Sequence, residues 1–359
     1  MAELAVETVR LPLRTPLHTA WGPLTERELV HVRLRFAGGG FGDGEAAPLE
    51  PYDGVPLAAV LAALDAYAAV LADAGPEDDA AALLEACRAE RPLPQALAAI
   101  DLALWDRAGR RAGRPVAALL GGDPGEPIAV NALIGAEDRA GAAQAAAEAA
   151  AAGYRCVKVK VGIGDDAGRL AAVRAAVGPM VAIRADANGA WRSPREALAN
   201  LRALAPVGLE LCEEPVHGLD ALREVRAESP VPIAIDESAA EPGAFPAAGA
   251  GPGAPEGGVA GAGVADAVCL KISRCGGIGG ALRDAEAARD AGSAVYLAST
   301  FDGPLGIAAA LHAAAALRAT GELLPCGLAA AAGAPSDVRG GTLALPPGPG
   351  LLGTAMLES

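Results

Sequence analysis

Residues 181–189 read VAIRADANG, residues 209–215 read LELCEEP, and residues 232–238 read PIAIDES. Each is a short apolar run closed by acid: Asp186 in the first, Glu213 and Glu214 in the second, Asp236 and Glu237 in the third. A brief apolar run bounded by polar or turn-forming residues fits a strand buried on both faces. One such carboxylate could be a helix cap or a solvated strand end. Three successive strands ending the same way would repel one another unless a cation sits among them.

Outward from this block the same rhythm continues. AVNALI (129–134) and CVKVKVG (156–162) precede it; DAVCLKIS (266–273), AVYLAST (294–300) and ELLPCGL (322–328) follow. Helical patterns fall between them, at 137–152, 165–177, 194–205, 218–228, 278–291 and 304–318. Strands alternating with helices predict an α/β fold with a parallel sheet. An open doubly wound sheet has the same alternation, but eight strand candidates favour closure into a (β/α)-barrel. The acidic ends then fall at the C-terminal mouth of the barrel, where such enzymes keep their chemistry. Residues 239–263, rich in Gly, Pro and Ala, break the rhythm after the fifth strand and read as a flexible insertion.

The first third is built differently. Residues 3–14 and Leu29–Phe36 alternate apolar and polar, as half-buried antiparallel strands do, and helical patterns follow at 56–74, 77–90 and 94–111. The expected division is an α+β domain over 1–125, the barrel over 126–328, and a segment over 329–359 that returns to the first domain. A chain of 359 residues accommodates this, since a barrel alone takes about 250.

Composition narrows the class of function. The net charge of −15 argues against nucleic-acid and anionic-membrane partners, which need a concentrated basic surface. Six cysteines without a C-x-x-C pair carry no disulfide or zinc signature, so a cytoplasmic location is expected. The N-terminal MAELAVETVR does not read as a signal peptide, and no apolar run reads as a membrane span. The implied partner is a small molecule, with homo-oligomerisation left open.

Lys158 and Lys160 lie two apart on the second strand, so they share a face. Val157, Val159 and Val161 take the other face, against the helices, which leaves both lysines in the barrel mouth. A lysine among apolar walls and beside another cation is expected to have a lowered pKa, suited to a base. Lys271, at the end of the sixth strand, faces that pair across an eight-stranded barrel. Arg274 and the glycines of RCGGIGG (274–280) read as a turn, lacking the spacing of a phosphate loop. Oxygen-only ligands suit Mg²⁺, or Mn²⁺ of the same preference. Metal with opposed lysines is the arrangement needed to acidify a carbon next to a carboxylate.

These motifs, in order on successive strands, resemble the muconate-lactonizing-enzyme subgroup (mandelate racemase/muconate lactonizing enzyme) of the enolase superfamily. The resemblance runs over essentially the whole chain, including the stretch ALAAIDLALWDRAGRRAGRPVAALLGG (96–122). It implies a modified, enolase-like barrel under an N-terminal capping domain. It also implies Lys158, Lys160 and Lys271 as catalytic groups and Asp186, Glu213 and Asp236 as metal ligands, supported by Asn188 and Glu237. The chemistry implied is Mg²⁺-dependent removal of the proton alpha to a substrate carboxylate, through an enediolate. His18, Trp21 and Tyr52, on loops closing over the barrel, and Thr300 and Asp302, after the seventh strand, become candidate substrate contacts.

Dipeptide epimerases of this family carry a D-x-D after the eighth strand to hold the substrate ammonium; here the position reads CGLAA (326–330). The PCGLAAAAG stretch is more similar to o-succinylbenzoate synthases, so that dehydration is the expected reaction. The alternatives are a muconate-type cycloisomerase and an N-acylamino-acid or dipeptide racemase-epimerase. FDGPLG (301–306) and the 239–263 insertion depart from the family pattern. Two other classes compete. A hydrolase would need two carboxyls flanking a bond, yet adjacent residues of a strand point to opposite faces. A barrel that only binds ligands would have no need of intact lysines.

Overall fold

The computed structural model describes residues 1–19, 22–135, 138–245, 263–329 and 337–353, apart from the side chains of 14–19 and 23. The first domain opens with three antiparallel strands in the order β1-β2-β3: β1 (Ala2–Thr19), β2 (Gly22–Phe36) and β3 (Gly40–Ala46). Alternation along β2 buries Val30, Val32, Leu34 and Phe36 and leaves His31, Arg33 and Arg35 outside that core. The buried face packs on α2 (Leu57–Leu71), α3 (Ala80–Glu90) and α4 (Pro94–Ala112), after the single turn α1 (Glu50–Asp53). β3 lies against the α4 backbone: a Cβ at Gly42 or Gly44 would come within 1.9 Å of the Ala103 or Ala99 carbonyl oxygen.

After α5 (Val116–Leu119) and the short β4 (Ile128–Ala129) the parallel sheet begins. Its strands are β5 (Ala132–Ile134), β6 (Cys156–Lys160), β7 (Ala182–Asp186), β8 (Leu211–Glu213), β9 (Ile233–Ile235), β10 (Ala267–Leu270) and β11 (Ala294–Leu297), hydrogen-bonded in chain order. The crossovers carry α6 (Arg139–Ala151), α7 (Asp166–Val177), α8 (Pro194–Leu204), α9 (Leu219–Glu228), α10 (Ile272–Cys275) with α11 (Ile278–Asp290), and α12 (Pro304–Thr320).

The expected eighth strand is reduced to two residues that still close the ring. Cys326 bridges Val130 and Gly327 bridges Ala298, both in parallel. Asn131 N donates to Cys326 O (3.0 Å) and Gly327 N to Leu297 O (2.8 Å). Pro325 has no N–H to extend the ladder, which limits the pairing. The expected first strand is split instead: β4 pairs antiparallel with β12 (Thr342–Leu343), and β5 alone enters the sheet.

The C-terminal segment runs on to α4, where Leu351 N donates to Asp106 (2.8 Å). His312 of α12 holds it from the other side: Nε2 meets Leu351 O at 2.9 Å while Nδ1 accepts the Ala117 N–H at 3.1 Å. Of the insertion expected over 239–263, residues 246–262 lie outside the described residues; Glu237–Ala240 form one 3₁₀ turn. Among the described residues no helix is long and apolar enough to cross a membrane.

Candidate active site

Strand parity decides which side chains enter the barrel. On β6, Val157 and Val159 are fully buried in the main core, and Lys158 and Lys160 take the opposite face. Asp186 and Glu213 are register partners at the ends of β7 and β8, and Asp236 and Lys271 follow β9 and β10 directly. The side chains converge. Lys158 Nζ lies 2.6 Å from Glu213 Oε1 and 2.9 Å from Asp186 Oδ2. Lys160 Nζ lies 2.6 Å from Asp186 Oδ2 and also donates to Asn188 Oδ1. Lys271 pairs with Asp236 and donates to Tyr52 Oη at 2.8 Å. The strand order sets Lys160 and Lys271 at opposite ends of the carboxylate row.

For Lys158 the expectation of a lowered pKa is corrected by these contacts. Burial alone would lower Lys158, but the Asp186 and Glu213 carboxylates outweigh it and hold the ammonium well above its usual range. Lys271 is raised in the same way, chiefly by Asp236. On the acid side, burial pushes Glu213 up. Burial also opposes ionisation of Asp186, yet Lys158 and Lys160 hold that carboxyl well below its ordinary value.

A second layer fixes this one. Asn188 Nδ2 donates to Glu237 Oε1 (3.0 Å). Glu214, fully buried, accepts the Asp236 N–H (2.9 Å) and the Ser238 hydroxyl (2.5 Å) and so ties β8 to β9. Asn188 (φ 44) and Glu214 (φ 41) are left-handed, one just beyond the strand end at Asp186 and the other just beyond that at Glu213. Asn tolerates that region, whereas Glu adopts it at a cost of about 1–3 kcal/mol that the hydrogen bonds must offset.

From the first domain, α1 lowers Tyr52 onto the site. Its hydroxyl donates to Asp236 Oδ1 (2.9 Å) and accepts from Arg274 Nη1 (3.0 Å) as well as from Lys271. Arg274 also donates to the carbonyls of Asp236 and Glu237. It belongs to the site, although its sequence reads as a turn; the available signal was its place one helical turn after Lys271. Thr300 and Asp302 sit elsewhere, buried in the seam between cap and barrel. There the Thr300 hydroxyl donates to Asp302 (2.6 Å), and Arg27 donates to Thr300 O (3.0 Å) and Pro48 O (2.8 Å). Glu45 accepts the Gly303 N–H (2.7 Å) at the start of α12 and lies 3.3 Å from His31, which makes His31 a seam residue too. Trp21 and the side chain of His18 lie outside the described residues.

The barrel floor holds residues that sequence reasoning missed. Tyr296 on β11 donates to Glu213 Oε2 (2.6 Å), and the Arg184 guanidinium lies 4.7 Å from the centre of its ring. Arg184 also pairs with Glu210 (2.5 Å) and donates to Pro325 O (2.7 Å). The signal was strand parity, since Arg184 precedes Asp186 by two. Cys269 presents its sulfur within 4.8 Å of carboxylate oxygens of Glu213 and Asp236.

The donor set suits a hard divalent cation. Asp186, Glu213 and Asp236 are 1%, 0% and 5% exposed, so their charges need a neutralising partner. The Lys158 ammonium, lodged between two of them, shows that this spot accepts positive charge.

Known proteins resemble this chain over most of its length. Residues 141–358 match the enolase C-terminal domain-like family, and residues 1–121 match the mandelate racemase/muconate lactonizing enzyme N-terminal domain. An N-succinyl-L-Arg/Lys racemase from Bacillus cereus is 28% identical over 311 residues, 85% of this chain and 81% of that protein. Its crystal structure superposes with a TM-score of 0.83 at 25% identity, covering 98% of this chain and 94% of that one. A dipeptide epimerase from Enterococcus faecalis, solved with Mg and L-Leu-L-Tyr, gives 0.82 at 27% identity over 97% and 98% of the two chains. Muconate cycloisomerase 1 from Pseudomonas putida is 29% identical over 321 residues, 87% of this chain and 81% of that protein. These relatives favour the racemase-epimerase and cycloisomerase alternatives over the o-succinylbenzoate synthase expected from sequence. The chain belongs to the enolase superfamily, in its mandelate racemase/muconate lactonizing enzyme group, and is an enzyme of the isomerase kind found there.

Proposed function

We propose that this enzyme racemises or epimerises an N-acylated amino acid by moving its α-proton between two lysines. The observation that carries this reading is the placement of Lys160 and Lys271 at opposite ends of one carboxylate row. A base on each side of a planar carbanion can take the proton from one face and return it to the other. Asp186, Glu213 and Asp236 would hold Mg²⁺, with Mn²⁺ as the substitute of like preference. When bound, the cation supplies Lewis-acid stabilisation of the negative charge that develops on the substrate carboxylate.

The chain's own residues do the rest. Lys158, paired with Asp186 and Glu213, adds fixed positive charge beside the place where the enediolate oxygens would form. Asn188 holds Lys160, and Tyr52 with Asp236 holds Lys271, so both side chains are oriented before substrate arrives. In each turnover the lysine that takes the α-proton must start as the neutral amine, and the other, as the ammonium, returns a proton to the opposite face. α1 brings Tyr52 against this end of the barrel. The described residues after the barrel closes, Leu328 and Ala329, carry no carboxylate for a free ammonium, which favours an acylated nitrogen over a dipeptide.

Chiral chromatography of N-succinyl and N-acetyl amino acids, dipeptides and muconate, each incubated with the Mg²⁺-loaded protein, tests the proposal. Conversion of either enantiomer of an acylated amino acid to the racemate is expected. Turnover of dipeptides or muconate alone would reject the acylated substrate while leaving the lysine chemistry in place.

A further inference from the structure

Glu213 is the middle carboxylate of the row, and both of its oxygens are already spoken for. Lys158 donates to Oε1 at 2.6 Å, and Tyr296 donates to Oε2 at 2.6 Å. Tyr296 is 1% exposed, and its ring lies against an Arg184 guanidinium that is itself fully buried. Arg184 is in turn fixed by the Glu210 carboxylate and the Pro325 carbonyl. A carboxylate on a flexible Glu side chain rotates unless both oxygens are constrained, and a divalent cation with strict geometry penalises that rotation.

We propose that Tyr296, seated on Arg184, is a positioning residue that sets the orientation of Glu213 and thereby the divalent-cation affinity of the carboxylate row. This rests on the reading of Asp186, Glu213 and Asp236 as the cation site. The hydroxyl reaches the cation only through Glu213. It also separates two jobs in one ring: the face packs on Arg184 and fills the barrel, while the hydroxyl orients the ligand. Hydrogen-bonded partners of this kind typically change metal affinity about 10- to 100-fold when removed.

The test is direct titration of the full chain with Mn²⁺, followed by the free-ion electron paramagnetic resonance signal, with Mg²⁺ competing. Tyr296→Phe keeps the ring on Arg184 and removes only the hydroxyl, so a retained fold is expected, with the melting temperature without metal lowered by a few degrees for the lost buried hydrogen bond. The Mn²⁺ dissociation constant should rise by about 10-fold or more, while KM for substrate at saturating metal stays within twofold. Adding Tyr296→Phe to Glu213→Gln should then have no further effect on affinity, because the hydroxyl acts through that carboxylate. Should Tyr296→Phe not fold, Arg184→Lys loses the flat guanidinium under the ring and should weaken Mn²⁺ at least threefold.

Tyr296→Phe binding Mn²⁺ within twofold of the parent would overturn the proposal, as would an undiminished effect in the Glu213→Gln background. A parent protein that binds neither ion would instead reject the cation-site reading itself, and the two failures are therefore distinct.

Discussion

His312→Gln separates one buried titration from all others in this protein. The imidazole is fully buried, and burial lowers its pKa to about 4, only partly opposed by its bond to Leu351. Both ring nitrogens are committed: Nδ1 accepts from Ala117 N and Nε2 donates to Leu351 O, which only the neutral ring can do. Because the folded pKa is depressed below the unfolded value of about 6.5, the unfolded chain binds the extra proton first. Stability from this residue is fully present above the unfolded pKa and falls as pH drops from there toward 4. At about 1.4 kcal/mol per pKa unit, the loss is about 2 kcal/mol at pH 5 and about 3 kcal/mol below pH 4. Glutamine can make the same two hydrogen bonds without titrating. Urea unfolding of parent and variant at pH 7.5 and 5.0 gives the difference. The raised carboxyls of Asp101 and Asp302, each about 6, contribute with opposite sign in both proteins and cancel. The parent should lose about 2 kcal/mol more than the variant; parallel losses would refute the reasoning.

Lys271→Ala should slow α-proton exchange of one substrate enantiomer by about 10²–10⁴ while largely sparing the other, and Lys160→Ala should show the reverse preference; deuterium incorporation into each pure enantiomer checks this. Gly44→Ala would drive a methyl to within 1.9 Å of the Ala99 carbonyl oxygen and push β3 off α4. It should cost about 1–3 kcal/mol or more, read as a lowered denaturation midpoint. Treatment with a chelator should abolish turnover, and Mg²⁺ should restore it without refolding, as judged by unchanged far-ultraviolet circular dichroism.

Much of the barrel is visible in sequence because strands buried on both faces are written as near-continuous apolar runs, and their polar ends stand out against them. Asp186, Glu213, Asp236 and the two β6 lysines are legible for that reason. The eighth strand is not, because Pro325 and Gly327 make a two-residue closure with no periodicity to read. Arg274 hides in a glycine-rich turn, and its role depends on Tyr52, more than two hundred residues earlier in the chain. Arg184 and Tyr296 have the parity of inward residues, but only the folded ring shows that they stack beneath Glu213. Thr300 and Asp302 show the same dependence: a strand end can face the mouth or the seam, and contacts with the cap domain hold these two in the seam.

The most direct test of the two-lysine account is incubation of Mg²⁺-loaded protein with N-succinyl-L- and D-amino acids in D₂O, followed by proton NMR at the α-carbon. The account predicts loss of the α-proton signal from both enantiomers, with the opposite enantiomer appearing and neither process surviving in the Lys160→Ala, Lys271→Ala double variant. Metal-bound parent protein that exchanges no α-proton from acylated amino acids, dipeptides or muconate-type acids would contradict it.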